Sequence, residues 1–170
     1  FINLFVVLLV LTGNVLQGTA PVFAADATGV VASAATASDD APAIGTQITV
    51  TVNIDMSGVT STGDDALGSY TGSLAWNPLV LAYDSYSGAP PSGFTGVVNV
   101  GNVGTGAITF NGANASGATD NIVVLVVTFD VIGAGDAGLD LAFSAMAAAG
   151  SFSNLLPIVN ATEDTVTVAG

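Results

Sequence analysis

Residues 68–87, GSYTGSLAWNPLVLAYDSYS, hold the pattern that most restricts the fold of this chain. Leu74 and Trp76 share one parity, so a pleated strand would place both side chains on the same face. Asn77-Pro78 then interrupts the ladder, because proline has no N–H for a central strand to donate. An apolar run resumes beyond the break. The stretch predicts two strands joined by a turn, with the single tryptophan in the core.

Alternation with a period of two recurs along the chain. In residues 47–55, QITVTVNID, every second side chain is apolar, which is typical of a half-buried antiparallel strand. Residues 122–132, IVVLVVTFDVI, are apolar on both parities, so we expect both faces to be covered, the outer one by overlying chain or another subunit. Shorter strands are expected around Val30 and at residues 94–100, 107–110, 139–143, 154–159 and 164–168, the last two as a closing pair, with a polar loop at residues 111–120.

These strands predict an all-β fold. About nine short strands separated by turn signals indicate a two-sheet antiparallel jelly-roll sandwich. With 170 residues and 51% hydrophobic content, the chain is large enough to build one core. We predict an apolar N-terminal segment at residues 1–25, a first strand and linker at residues 26–45, and the sandwich proper at residues 46–170.

The charge of the chain is entirely one-sided. It has 13 acidic residues and no lysine, arginine or histidine, which gives a net charge of −13. Because phosphate recognition depends mainly on lysine and arginine, we exclude nucleic acids as partners. The absence of cysteine and histidine removes thiolate chemistry and the usual general base, so we expect no enzyme and no required cofactor. Repulsion among the carboxylates predicts that salt or metal ions stabilise the fold.

The first twelve residues, FINLFVVLLVLT, form an uncharged apolar run. As a helix they would span about 18 Å, less than the roughly 30 Å core of a bilayer. One interpretation is a secretory leader that is cleaved near Ala24 or Ala25. The other is a retained assembly segment, either a helix or a strand donated to a neighbouring subunit. Its candidate assembly residues are Phe1, Ile2, Leu4, Phe5, Val6, Val7, Leu8, Leu9, Val10 and Leu11.

This N-terminal run, beginning directly at phenylalanine, resembles the processed N terminus of type IV pilins, whose apolar segments pack together in the filament core. The chain departs from the bacterial pattern because position 5 is Phe5 rather than a glutamate, and because Gly13 and Pro21 interrupt the segment. The resemblance implies a subunit that polymerises into a pilus or filament.

The strand pattern resembles cohesin domains, the jelly-roll modules of cellulosome scaffolds. GTQITVTVNI, GSYTGSLAWNPLVLAYDSYSG, GAITFNGA, IVVLVVTFDVIGAGDAGLDLAF and the final TVTV carry the resemblance, which covers roughly residues 28–168. Its most specific element is Asn77-Pro78 followed by Val80-Leu81. The resemblance implies two packed antiparallel sheets and protein binding through one sheet face, the partner of cohesins being a dockerin.

Three aspartates and two asparagines are candidate sites. Asp64 and Asp65 lie in a polar loop with glycine, and Asp136 lies in a second glycine-containing turn. Carboxylates and carbonyls are ligands for Ca²⁺, so these are candidate calcium ligands, as in a calcium-dependent adhesin, without a complete calcium-loop spacing. Asn114 and Asn160 begin N-glycosylation sequons, and glycans would help to solubilise a surface without basic residues.

Two functions follow from these features. Lysine commonly protects sheet edges from pairing with other chains, and this protein has none. We therefore expect uncharged strand edges, and our leading hypothesis is a secreted cell-surface subunit that assembles into a pilus or filament, making the protein a homo-oligomer or polymer. The alternative is a secreted cohesin-like module without residues 1–25 that binds a dockerin-like protein or a polysaccharide. Tyr70, Trp76, Tyr83 and Tyr86 are candidates for a sugar-stacking strip, although parity favours core packing for Trp76.

Overall fold

The computed structural model describes residues 26–170, and the candidate assembly residues 1–11 lie outside the described part. The described chain folds into strands, with single 3₁₀ turns at Val103–Thr105 and Leu156–Ile158. The strands are β1 (Val31–Ala37), β2 (Gln47–Asp55), β3 (Leu67–Ala75), β4 (Leu81–Ser87), β5 (Val98–Asn99), β6 (Ala107–Ala118), β7 (Asn121–Val131), β8 (Gly135–Asp136), β9 (Asp140–Ala148), β10 (Val159–Glu163) and β11 (Thr167–Val168).

Two sheets pack face to face and confirm the predicted all-β sandwich. The five-stranded sheet has the order β10-β1-β2-β7-β4, and the four-stranded sheet has the order β5-β6-β3-β9. A small ladder of β8 and β11 forms a third sheet. The expected antiparallel pairing has one exception, because β1 and β10 are parallel. A parallel partner needs a crossover connection, and these two strands lie at opposite ends of the described chain, with β2 to β9 between them.

The predicted alternation decides which side chains enter the core. Along β2, Ile48, Val50, Val52 and Ile54 are all buried, and the polar residues between them face outward. The residue pairs of β2 and β7 continue this separation, with Ile48 opposite Phe129 and Thr49 opposite Thr128. The first strand predicted around Val30 is β1, an interior strand of the five-stranded sheet.

Trp76 joins the two sheets, as its parity predicted. Its ring lies 4.8 Å from the ring of Phe129 on β7, in an edge-to-face arrangement. Its Nε1–H donates to the carbonyl of Leu81 at 3.0 Å, which satisfies the indole of a side chain that is only 4% exposed. Asn77 forms the turn, since its Oδ1 accepts the N–H of Leu79 at 3.1 Å. The sheet-to-sheet crossing is therefore fixed at this turn.

The loop expected at residues 111–120 is only partly correct. β6 runs from Ala107 to Ala118 and pairs with β3 from Ala107 to Ala113 and again at Ala118, and residues 114–117 bulge out between these paired segments. Asn111 and Ala113 face outward on this strand, so their polar and small side chains resemble a loop in the sequence. Gly112 faces the core, where an added Cβ would lie 2.6 Å from the hydroxyl oxygen of Tyr70. The strand therefore uses glycine where an aromatic ring from β3 occupies the space.

The predicted strands at residues 94–100 and the closing pair are also partly wrong. Only Val98–Asn99 forms a strand in the first region, with an isolated bridge from Thr95 to Ala113. β10 and β11 do not pair with each other, because β10 joins β1 and β11 joins β8. Leu156–Ile158 is a 3₁₀ turn, and the proline within it cannot donate to a ladder.

No described residues overlie the outer face of β7, so the expectation of overlying chain is wrong for this part of the protein, and coverage by another subunit stays a prediction. Val123 is 42% exposed on this face, and Val126 is half-buried between Thr51 and Ser87 of the adjacent strands. Neighbouring side chains thus cover part of each valine without another layer of chain.

Candidate functional site

The outer face of the four-stranded sheet consists of short side chains. On the central strand β3, Ser69, Thr71 and Ser73 face outward because Tyr70 and Leu74 face the core. Their neighbours across the ladder are Thr109, Asn111 and Ala113 on β6 and Ala142, Ala145 and Ala147 on β9. We call these nine outward residues the small-residue face. Asp140, opposite Ala75, adds a carboxylate at one end of this face.

A recess of about 290 Å³ lies at the other end of the small-residue face. Glycine and alanine form most of its wall, and the lining residues are Gly68, Ser69, Ala113, Asn114, Ala115, Ala147, Ala148, Ala149, Gly150 and Phe152. We call this cavity the alanine recess. The chain packs closely behind it, since a Cβ on Gly68 would lie 2.7 Å from the backbone nitrogen of Ala149. The small side chains therefore leave the recess open to solvent, while the backbones of Gly68 and Ala149 lie in close contact.

Phe152 stands at the rim of the alanine recess with its side chain in solvent. It is 73% exposed, and its φ of 58° lies in the left-handed region, which a bulky residue adopts only at a cost. Ser151 holds the turn in place, because its hydroxyl donates to Asp64 Oδ1 at 2.6 Å. The turn thus presents an aromatic ring outward from a fixed backbone.

Asp64, one of the predicted calcium ligands, fastens two loops together. It is buried, and hydrogen bonds from the hydroxyls of Ser151, Ser61 and Ser153 hold the pKa of its carboxyl below the ordinary value. Asp65 is exposed beside it. Asp136 lies beyond the opposite end of β3, where its Oδ1 accepts the N–H of Gly138. The structure therefore does not bring the three predicted calcium ligands together.

A second cavity, of about 520 Å³, lies between Asp39, Asp40 and Asp164. Asp164 Oδ2 accepts the N–H of Ala37 at 2.9 Å, and Asp39 Oδ1 accepts the N–H of Ala41 at 2.9 Å. These two carboxylates thus fasten backbone turns. Within residues 26–170, no group of three or more metal-ligating side chains is arranged to hold a metal ion.

The outer face of the five-stranded sheet differs from the small-residue face. Its longer polar side chains bind one another: Gln47 Nε2 donates to Asp130 Oδ1 at 2.8 Å, and Asn53 Nδ2 donates to Asn121 Oδ1 at 2.7 Å. A partner that binds this face would have to break these hydrogen bonds or leave them in place and contact other atoms.

The edge strands carry carboxylates, so the prediction of uncharged edges is wrong. A bulge between Tyr83 and Ser85 leaves Asp84 unpaired on β4. On β9, the N–H of Leu141 donates to Glu163 Oε1 at 2.9 Å, so a carboxylate from β10 occupies part of that edge. β5 has only two residues. Bulges, short strands and acidic side chains replace the lysines that usually protect sheet edges.

The two sequons lie in different surroundings. Asn160 and Thr162 are exposed and share the outer face of β10. Asn114 is half-buried beside the alanine recess, where its Nδ2 donates to the carbonyl of Gly117 and its Oδ1 accepts the N–H of Ser116. The amide of Asn114 is therefore already hydrogen-bonded within its own turn.

The candidate sugar-stacking residues do not form a strip. Tyr70 and Trp76 are buried in the core, where burial raises the pKa of Tyr70 to about 12. Tyr83 is half-buried, and Tyr86 is 41% exposed on edge strand β4. Of the four candidate aromatic side chains, the structure thus leaves only Tyr86 exposed.

The described residues contain no helix that is long and apolar enough to cross a membrane.

Solved structures place the fold among the cohesins. The chain is similar to a non-cellulosomal cohesin from the archaeon Archaeoglobus fulgidus, with 16% identity, a TM-score of 0.59, and coverage of 85% of this chain and 93% of the other. It is also similar to a type II cohesin of the ScaA scaffoldin of Acetivibrio cellulolyticus, with 12% identity, a TM-score of 0.60, and coverage of 83% and 98%. A Clostridium thermocellum type I cohesin, solved with a dockerin, has 13% identity, a TM-score of 0.59, and coverage of 84% and 99%. No family model and no curated protein matches the sequence. The chain therefore has a cohesin-like β-sandwich fold.

Proposed function

We propose that this chain is a non-enzymatic extracellular binding module that holds a dockerin-like protein on its small-residue face. The contrast between the two outer faces of the sandwich carries the proposal. Short side chains let the backbone of a partner approach closely, and the alanine recess offers an apolar position at one end. The opposite face has polar side chains that already bind one another.

The dimensions of the small-residue face suit a protein partner. Three strands at about 4.8 Å spacing are about 14 Å wide, and the nine residues of β3 are about 30 Å long. The plane of the face is then on the order of 400 Å², about half of the roughly 800 Å² that each partner buries in a standard interface. Loops that border the face, including the turn at Phe152, supply the remainder.

The structural comparisons support the same partner class. Cohesins with this fold were solved in complex with dockerins, among them one from Clostridium thermocellum and one from Acetivibrio cellulolyticus. Carbohydrate binding has less support, because the predicted aromatic strip is divided between the core and one edge strand.

Assembly into a pilus or filament has no support in the described sandwich. The edges that were expected to accept strands from other copies carry Asp84 on β4 and Glu163 beside β9. The candidate assembly residues lie outside residues 26–170, so this hypothesis depends on the N-terminal segment alone.

A binding measurement with a matched pair of variants tests the proposal. The full chain is titrated with a panel of dockerin modules by isothermal calorimetry. Thr71→Trp places a bulky neutral group in the centre of the small-residue face and should weaken binding by at least about tenfold. Thr36→Trp makes the same change at an exposed threonine on β1, on the outer face of the other sheet, and should leave the affinity unchanged.

Two results would contradict the proposal. One is that no dockerin module binds the folded wild-type chain. The other is that Thr36→Trp, rather than Thr71→Trp, abolishes binding, which would assign the partner to the five-stranded sheet.

A further inference from the structure

The size of the alanine recess indicates what kind of group enters it. Its volume of about 290 Å³ is below the range of roughly 300–1,000 Å³ that is usual for small-molecule sites. It is about twice the roughly 150 Å³ of an apolar cavity that holds one benzene. The recess therefore suits one or two apolar side chains that belong to a larger partner rather than a free ligand.

Phe152 has the features of an interface anchor. Aromatic residues dominate binding energy when a partner removes them from water, and rigid presentation lowers the entropic cost of ordering them. The ring is 73% exposed, and the backbone beneath it is held in the left-handed region by the bond from Ser151 to Asp64. The fold thus maintains a strained turn that leaves a large apolar ring in water.

The charge around the recess restricts the partner further. Asp65 is exposed and adjoins Ala66, whose carbonyl accepts the N–H of Ala149 in the recess wall. The whole chain contains no lysine, arginine or histidine to balance this carboxylate. Positively charged side chains on a partner would strengthen its binding at this end of the face, and an acidic partner would be repelled.

We infer that the alanine recess and Phe152 form the anchor of the binding face, and that the partner fills the recess with an apolar side chain flanked by lysine or arginine. This inference rests on the proposed function, because it assigns the partner's chemistry at one end of the same face. It explains why the most exposed aromatic side chain of the described residues borders a cavity on the small-residue face.

A titration of the full chain with three short peptides tests this chemistry by NMR. The probe is acetyl-Lys-Leu-Lys-amide; acetyl-Glu-Leu-Glu-amide reverses its charge, and acetyl-Lys-Gln-Lys-amide removes its apolar side chain. The basic leucine peptide should shift the methyl resonances of Ala113 and Ala147, and the other two should bind at least about tenfold more weakly.

Variants of the protein show whether the shifts come from the recess. Phe152→Ala should weaken binding of the basic leucine peptide by about tenfold or more. Ala113→Leu, which fills the recess from an exposed position on β6, should have the same effect. Leu79→Ala is the control, because Leu79 is 79% exposed at the opposite end of β3 and should leave binding unchanged.

Failure of this inference can be told apart from failure of the proposed function. Equal binding of the acidic and basic leucine peptides, or binding that survives both Phe152→Ala and Ala113→Leu, would overturn the inference. If a dockerin still binds and Thr71→Trp still weakens it, the proposed function stands without this anchor. If the peptide binds the recess as described but no dockerin binds, the anchor stands and the partner class is wrong.

Discussion

Gly72 gives a direct test of the packing on the inner face of the four-stranded sheet. A Cβ at this position would lie 2.7 Å from Cζ of Phe110, 2.9 Å from Cε2 of the same ring and 3.0 Å from Cε1 of Phe143. Carbon atoms in favourable contact are about 3.5–4.0 Å apart, so both rings must move by about 1 Å. Phe110 is fully buried and already packs edge-to-face on Phe143, which leaves little room for that movement.

The expected cost of Gly72→Ala follows from these contacts. Overpacking a core typically costs about 1–3 kcal/mol, and two displaced aromatic rings place this site near the upper end. Alanine recovers about 0.4–1 kcal/mol by restricting the unfolded chain. The net loss in the free energy of unfolding should be about 2 kcal/mol, which corresponds to a decrease in Tm of about 4–8 °C at this chain length.

Urea denaturation followed by the fluorescence of Trp76 measures this loss, because that indole is buried against Phe129. Gly104→Ala is the control, since no atom lies within 4 Å of a Cβ there, and its stability should stay within about 0.5 kcal/mol of wild type. Equal midpoints for the two variants would refute the packing described for β3.

Three further predictions concern charge and modification. Because the pKa of Asp64 is lowered in the folded state, its stabilising effect is present above the ordinary value of 3.8 and is lost as the pH falls below it. The difference in unfolding free energy between wild type and Asp64→Asn should therefore be larger at pH 7 than at pH 3, and a difference independent of pH would contradict this. Raising NaCl from about 0.01 M to about 1 M should increase Tm, because screening relieves the repulsion within a chain of net charge −13. CaCl₂ and MgCl₂ at equal ionic strength should give equal increases, whereas a rise specific to calcium would indicate a calcium site. When the protein is expressed in a glycosylating secretory host, its intact mass should show a glycan at Asn160 and none at Asn114, because the Asn114 amide is already hydrogen-bonded within its turn. Asn160→Gln should therefore remove the added mass, and Asn114→Gln should leave it. A glycan confined to Asn114 would contradict this prediction.

The strands with strict alternation could be predicted from the sequence, because each buries one face against a continuous core. β2, the two strands β3 and β4 on either side of Trp76, and the apolar strand β7 all lie where their patterns indicated. The resemblance to cohesins rested on these strands, and the fold confirms it.

The binding face could not be predicted, because its residues give no distinctive pattern. Serine, threonine and alanine at outward positions give the same sequence pattern whether the face is exposed to solvent or covered by a partner. The polar run around Asn111 is typical of a loop, although Asn111 lies on β6. Phe152 is a single aromatic residue between serines, and only the three-dimensional structure places it at the rim of a recess. The edge-protecting role of Glu163 could not be predicted, because its carboxylate accepts the N–H of Leu141 from a strand of the other sheet.

Methyl NMR of the full chain with an alanine-labelled sample tests the central claim most directly, since both outer faces carry alanines. Ala142 and Ala145 lie on the small-residue face, and Ala32 and Ala34 lie on the outer face of β1. On addition of a dockerin module that binds, the methyl resonances of Ala142 and Ala145 should shift, and those of Ala32 and Ala34 should stay in place. Shifts confined to Ala32 and Ala34 would contradict the account.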